Sequence, residues 1–381
     1  MNISYLFASR EGSIPVDEAT LRRPFIVRPY ANHPFMTLED YFAAIRDLIF
    51  REDGRPLLEL LGRLWRADTT GADLDMVAIR YEKWGTLYHI ASVEVVAGPR
   101  KRRLAVSTAV TDASKESLDR EFNLLRRLHR QTGLSFLPEV YCKHAVGIRK
   151  AEGSETLLMT LSEWFENYHE WHFSKDDEGN QRIVLWDMEN GYRLLSQQET
   201  YEVIRQAVAI LTSYYDTETH CRIVPWHHGG GDFVVRTAGG AVDVKLVTAR
   251  GHEPVPSVER APVDTSRAII LFFLETTLKM RLDKYEGMGE STWARTSVVA
   301  AVVDGFFASL RLKESSGLNA GSVMKQLASF TEAELRRLLS SRMEDFRAYD
   351  PSDLSIMMSH LDEHARDLHH AIQRQARKET G

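Results

Sequence analysis

Between Met76 and Leu161 the sequence changes its grammar, and that change constrains the fold more than any other feature of the chain. Met76–Trp84, Leu87–Val96 and Arg103–Val110 are rich in β-branched and aromatic residues, and Gly85 and Gly98-Pro99 punctuate them. Such residues fit a pleated, half-buried surface, and connections this short join antiparallel neighbours. Asp112 and Ser114, both good capping residues, then precede Ser117–Gln131, a charged helix with Leu118, Phe122, Leu125 and Leu128 on one face. Glu139–Ile148 and Thr156–Leu161 read as two further strands. Three strands, one helix and two strands predict a small antiparallel sheet with a helix packed on it.

The flanks read differently. Val16–Pro34 contains Pro and Arg without periodicity, and Thr37 then caps a helix through Phe50, with Glu39 and Asp40 in its positively polarised first turn. Arg55–Trp65 carries Leu57, Leu58, Leu60, Leu61 and Leu64 at helical spacing, and the polar Asp68–Asp75 is a boundary. Beyond the β-rich part, Glu199–Tyr215 is an amphipathic helix, and Phe233–Arg236 and Val242–Val247 are short strands joined through Gly239-Gly240. Ser266–Tyr285, Thr292–Leu312, Thr331–Arg347 and Pro351–Lys378 are helical. The chain is therefore expected to be α+β, with a helical N-terminal extension over 1–75, a small β-rich lobe over 76–161 and a mostly helical C-terminal lobe over 162–381.

Composition narrows the setting. With 48 Lys+Arg against 54 Asp+Glu, the net charge of −6 argues against a broad positive field for nucleic acid. The apolar runs Ala268–Leu274 and Val298–Leu310 fall short of the roughly 20 residues needed to cross a bilayer and read as buried helices. Two cysteines, Cys142 and Cys221, exclude a disulfide framework and favour a reducing compartment. Met1–Arg10 shows no secretory pattern, so the expectation is a cytoplasmic chain that engages neither membrane nor nucleic acid.

Chemistry concentrates in Val224-Pro225-Trp226-His227-His228-Gly229-Gly230-Gly231-Asp232-Phe233-Val234-Val235. Imidazole titrates near neutral pH and can accept a hydroxyl proton, a carboxylate can hold a hard cation, and glycines let the backbone approach a ligand closely. The competing reading is a tight buried turn that only preserves the fold. Glu163–Phe173 is dense in aromatics and acids, so His169 and His172 with Glu166 and Glu170 permit a metal-hydrolase reading, completed by His227 or His228. On a helix the two histidines would share a face. His360 and His364 have i,i+4 spacing on a charged helix and read as a solvated face. Arg100-Lys101-Arg102-Arg103 reads as a solvated hairpin tip.

From Met76 to Leu312 the order of elements resembles the protein-kinase-like fold, in the branch of aminoglycoside phosphotransferases and choline kinases. The resemblance implies two lobes, with ATP and Mg²⁺ between them. It puts a phosphate-covering turn at Glu82-Lys83-Trp84-Gly85-Thr86, which has a single glycine here. The lysine of the third strand is replaced by Ser107 or Thr108, whereas Glu121 matches the glutamate of the following helix. The catalytic loop H-G-D-x-x-x-x-N falls on the His227–Asp232 segment, with His227 at the catalytic Asp and Asp232 at the metal-binding Asn. Thr248 stands at the second metal-binding Asp. Trp164, or Phe165, follows the fifth strand where base contacts are made. The implied ligand-contacting set is thus Ser107, Glu121, Trp164, Gly229, Gly230 and Gly231, with His227 and Asp232 as catalytic residues and Asp232 as the metal ligand.

The lysine and one metal-binding carboxylate neutralise charge in phosphoryl transfer, and both are missing. The expectation is a pseudokinase-like protein that binds a nucleotide or small molecule between its lobes, or a protein partner, without standard kinase activity. The alternatives are an atypical phosphotransferase or nucleotidyl transferase and the metal-dependent hydrolase.

Overall fold

The computed structural model describes residues 2–9, 12–28, 31–85, 87–188, 190–226, 228–254, 265–287, 289–313, 318–346 and 351–380. The chain is α+β and divides into two compact units. The first comprises Met1–Gln131, Pro138–Glu166 and Met188–Gly191; the second comprises Thr132–Leu137, Asn167–Asp187 and Tyr192–Gly381.

The first unit begins with β1 (Asn2–Ser9), β2 (Gly12–Pro15), α1 (Glu18–Leu21), β3 (Pro24–Arg28) and β4 (Ala31–Thr37). Next come α2 (Leu38–Phe50), α3 (Arg55–Trp65), β5 (Met76–Trp84), β6 (His89–Ala97) and β7 (Arg100–Ala109). The long helix α4 (Asp112–Thr132), β8 (Val140–Lys150) and β9 (Gly153–Glu163) complete it. Its seven-stranded sheet has the order β2-β1-β5-β6-β7-β9-β8. The five strands from β5 to β9 are mutually antiparallel, with β9 placed between β7 and β8. Only β1 runs parallel to its neighbour β5.

The first 75 residues, expected to be helical, thus carry four strands as well, and two of them extend the sheet. β1 was not legible because its apolar residues, Ile3, Tyr5, Leu6 and Phe7, do not alternate strictly. The cap on α2 forms as anticipated: the Thr37 amide donates to Asp40 Oδ2 at 2.7 Å and the Asp40 amide to Thr37 Oγ1 at 3.4 Å. Tyr41, Phe42, Ile45 and Leu48 of α2, with Leu57 and Leu61 of α3, then share one core with Val77, Val93, Val106 and Met159 of the sheet. Each such buried aliphatic side chain contributes about 1.5–3 kcal/mol relative to exposure, so these helices are the cover of one sheet face. The other face meets α4, where Ala109 and Leu118 pack together.

The second unit carries β10 (His169–Lys175), β11 (Gln181–Leu185), β12 (Arg193–Leu194), α5 (Gln197–Ser213) and β13 (Cys221–Val224). A four-residue helix α6 (Gly229–Asp232) leads into β14 (Phe233–Ala238), β15 (Ala241–Leu246) and β16 (Gly251–Pro254). Then follow α7 (Thr265–Lys279), β17 (Leu282–Lys284), β18 (Ser291–Trp293), α8 (Ser297–Leu312) and α9 (Ala320–Ser329). Three helices end the chain: α10 (Glu332–Phe346), α11 (Pro351–Ser359) and α12 (Leu361–Thr380).

The expected hairpin through Gly239-Gly240 forms between β14 and β15, inside a five-stranded sheet of order β12-β11-β10-β14-β15. β16 returns to pair antiparallel with β13. α7 is buried at every position from Ala268 to Lys279, and α8 buries most of its length, as their apolar runs require. α8 lies against α5 so closely that a Cβ at Gly305 would come within 2.1 Å of the Arg205 carbonyl. Among the described residues no helix is long and apolar enough to cross a membrane.

Two helices end earlier than their periodicity suggests. Ser266–Tyr285 gives way after Lys279 because Leu282–Lys284 pairs with Ser291–Trp293. Pro351–Lys378 is divided at His360.

Candidate functional site

The segment singled out in the sequence joins β13 to β14, and two strand pairs fix its ends. His227 lies outside the described residues. Asp232, at the end of the turn, is 4% exposed, and its backbone carbonyl accepts the Val247 amide at 2.9 Å. Both carboxylate oxygens receive Arg250, whose Nη2 donates to Oδ1 at 3.1 Å and Nη1 to Oδ2 at 3.4 Å. Arg250 stands two residues beyond Thr248, which is itself buried. A guanidinium thus meets the one carboxylate that the resemblance assigns to Mg²⁺. A bidentate Arg–carboxylate pair is among the strongest polar contacts available.

The three glycines divide. A Cβ on Gly229 would lie 3.1 Å from the Trp171 ring, and one on Gly230 would lie 2.3 Å from the Trp171 carbonyl and 2.8 Å from His172 Nδ1. These two are glycine because the backbone packs against β10, which is the role of a buried turn. Gly231 is exposed, and its missing Cβ faces open space. Of the three, only Gly231 has room beside it for a ligand.

Charged groups gather around the turn from elements that the sequence did not connect to it. Arg222 of β13, almost fully buried, donates from Nε and Nη2 to the two oxygens of Glu275 on α7 at 3.0 and 3.1 Å. Its Nη1 also donates to the carbonyls of Glu253 and Pro254. One turn beyond Glu275, Lys279 lies over the ring of Trp226 at 4.5 Å. Burial pushes the Lys279 amine down to about 8, against the pull of Glu275. His228 is hydrogen-bonded through Nε2 to Asp353 of α11 at 2.8 Å. Asp353 also accepts Ser291 Oγ at 2.8 Å; burial would raise its carboxyl, but His228 and Ser291 hold it below the usual range.

Arg222, Arg250, Glu275, Lys279 and Asp353 were missed. Arg250 had a signal, a cation shortly after β15 and close to Thr248. Asp353 had none, since its contact spans 125 residues.

The remaining expected site residues lie in the first unit. Ser107 is half-buried on β7, opposite Ile90 and Thr160, and shares a face with Ala109, which packs on α4. Thr108 points into the core on the other face and is fully buried. Of the two residues that the resemblance offers for the lysine position, Ser107 is the one on the α4 side, and it carries no charge. Glu121 is buried on α4, and Arg126 lies over the Phe122 ring at 5.6 Å. Trp164 is half-buried beneath the Arg103 guanidinium, 5.8 Å from its centroid. The basic run is paired: Lys101 and Arg103 reach Glu94 at 2.8 and 2.9 Å, and Arg100 covers the Trp65 ring.

The segment with His169 and His172 is the strand β10, so three residues apart they lie on opposite faces. His172 is buried between Asp283, 3.2 Å from Nδ1, and Glu170, 3.3 Å from Nε2. Burial would lower this imidazole, but the two carboxylates raise it to about 9. Among the described residues no group of three His, Cys, Asp or Glu side chains is arranged to hold a metal ion. His364 is not solvated either: it is fully buried, bonded to Thr277 Oγ1 at 3.0 Å and to Arg281 at 3.3 Å. Burial and the Arg281 charge hold it well below the ordinary histidine range.

The donor set fits Mg²⁺ poorly. Asp232 already faces a guanidinium, and Thr248 is neutral. Two cations, Arg250 and Lys279, lie against the turn that carries His228. No known protein family matches this sequence, and no curated protein matches it either.

Proposed function

We propose that this chain is a pseudokinase-like binding protein, which takes a nucleotide at the turn between β13 and β14 without a divalent cation. The observation that carries this reading is the Arg250–Asp232 pair. The carboxylate at the metal-binding position is neutralised by a cation of the chain itself, so a triphosphate would be met by a guanidinium. The arrangement of elements supports the kinase-like part of the proposal. β5, β6 and β7 precede α4, and β8 and β9 follow it in one antiparallel sheet. In the second unit, α5, β13, the turn and the β14–β15 hairpin succeed one another, and β16 pairs back to β13. Ser107 in place of a lysine argues against transfer of the phosphoryl group, since each such electrostatic contact is worth a few kcal/mol in the transition state.

Thermal-shift titration with ATP, with and without Mg²⁺, tests the proposal. The expected result is a stabilisation that does not need metal and that Arg250→Ala removes. A stabilisation that appears only with Mg²⁺ favours a transferase, and the absence of any shift in either condition overturns nucleotide binding.

A further inference from the structure

Asp353 brings an anion into the site from a distant part of the chain. It lies in the first turn of α11, is 3% exposed, and spends one oxygen on His228 Nε2 and the other on Ser291 Oγ, each at 2.8 Å. Ser291 Oγ in turn accepts Lys284 Nζ at 2.7 Å. An imidazole and a hydroxyl therefore bond one carboxylate, and an ammonium stands behind the hydroxyl. That donor set is what a phosphoryl oxyanion needs: short, charge-assisted hydrogen bonds from fixed side chains. The donors belong to the turn and to the β17–β18 hairpin, which pairs Lys284 with Ser291 across its ladder. The acceptor alone comes from α11, a nine-residue helix resting against β18.

We infer that α11 is an autoinhibitory strap, and that Asp353 occupies an oxyanion site formed by His228, Ser291 and Lys284 for which a phosphoryl ligand competes. The inference rests on the reading above for its choice of ligand, since His228 belongs to the same turn. A site closed in most molecules binds with its intrinsic affinity divided among open and closed forms, so removing the strap's charge tightens binding by the inverse of the open fraction. Both inorganic pyrophosphate and the phosphates of a nucleotide present the required chemistry.

Calorimetric titration of the full chain with inorganic pyrophosphate tests this. Asp353→Asn keeps the shape and drops the charge, and it is expected to bind about ten-fold tighter or more than the wild type. Adding Ser291→Ala and Lys284→Met to it is expected to cancel the gain. A folded D353N chain with wild-type affinity overturns the inference, as does a gain that survives loss of Ser291 and Lys284. Should D353N fail to fold, hydrogen exchange on the wild type decides: pyrophosphate must speed exchange of the α11 amides, and unchanged exchange refutes displacement. Parallel titrations with ATP separate the two readings. A pyrophosphate gain without any ATP binding preserves the strap and removes the nucleotide.

Discussion

His172 should tie the stability of the second unit to alkaline pH. Its ring sits between Asp283 and Glu170, with its centroid 4.6 Å from that of Trp186. Its folded value of about 9 lies above the ordinary 6.5. A histidine raised on folding stabilises the native state fully below the unfolded value, and that contribution is lost as pH rises through the folded one. The full difference corresponds to about 3 kcal/mol, and partial exposure of Glu170 brings the expectation to about 2–3 kcal/mol. Lys279 works the other way: lowered from 10.5 to about 8, it makes the unfolded chain the stronger proton binder above pH 8. The wild type alone therefore understates the effect, and the difference from His172→Gln isolates it. Urea unfolding followed by the fluorescence of Trp171 and Trp186, both beside this site, provides the assay at about pH 6, 7.5 and 9.5. The stability advantage of the wild type over H172Q should shrink by about 2–3 kcal/mol from the first to the last. A difference that stays level across that range would show that the two carboxylates do not hold the imidazole charged.

Three further outcomes follow from the packing. Gly230→Ala should destabilise by about 3 kcal/mol or more, because its Cβ would collide with the Trp171 backbone, whereas Gly231→Ala should lie within about 0.5 kcal/mol of the wild type; melting curves compare them. Arg222→Met should cost about 3–5 kcal/mol by stranding the buried Glu275, and R222M/E275L should recover most of that loss in urea titrations. His89, which burial lowers to about 4, stabilises the fold above pH 6.5 and ceases to as pH falls towards 4. His89→Phe should therefore flatten the acid limb of the first unit's stability curve, as read by circular dichroism.

The sheet of the first unit was legible because its strands obey a local rule. Met76–Trp84 and the strands after it are rich in β-branched and aromatic residues and are closed by Gly85 and Gly98-Pro99, and the capping pair Thr37 and Asp40 announced α2. β1 escaped because a parallel strand carries no hairpin signal linking it to β5, 74 residues on from Asn2 to Met76. β10 was open to misreading for a related reason. Its aromatics and acids have no clean period of two, because Trp171, His172, Phe173 and Ser174 are all buried, so both faces are covered. His364 misled through its neighbours: charges at Asp362, Glu363 and Asp367 suggest a solvated face. Two of them, Glu363 and Asp367, instead reach the buried Arg281 beside it.

The turn at Gly229–Asp232 was found from spacing, but its chemistry depends on residues that spacing cannot find. Loss of the third-strand lysine pointed to a site short of positive charge. The second unit has cations of its own around the turn: Arg250 follows β15, Lys279 ends α7 and Lys284 lies on β17. Each already faces something anionic or aromatic within the chain, Arg250 with Asp232, Lys279 with Trp226, and Lys284 through Ser291 with Asp353. A cation paired in this way binds an added phosphate only by exchange, so affinity is set by how readily the internal carboxylate leaves. Asp232 lies where the turn enters β14, and its carbonyl accepts the Val247 amide. Asp353 lies on the nine-residue α11. On the strap proposal phosphate enters as Asp353 leaves His228 and Ser291, and it reaches Arg250 only by displacing Asp232 in turn.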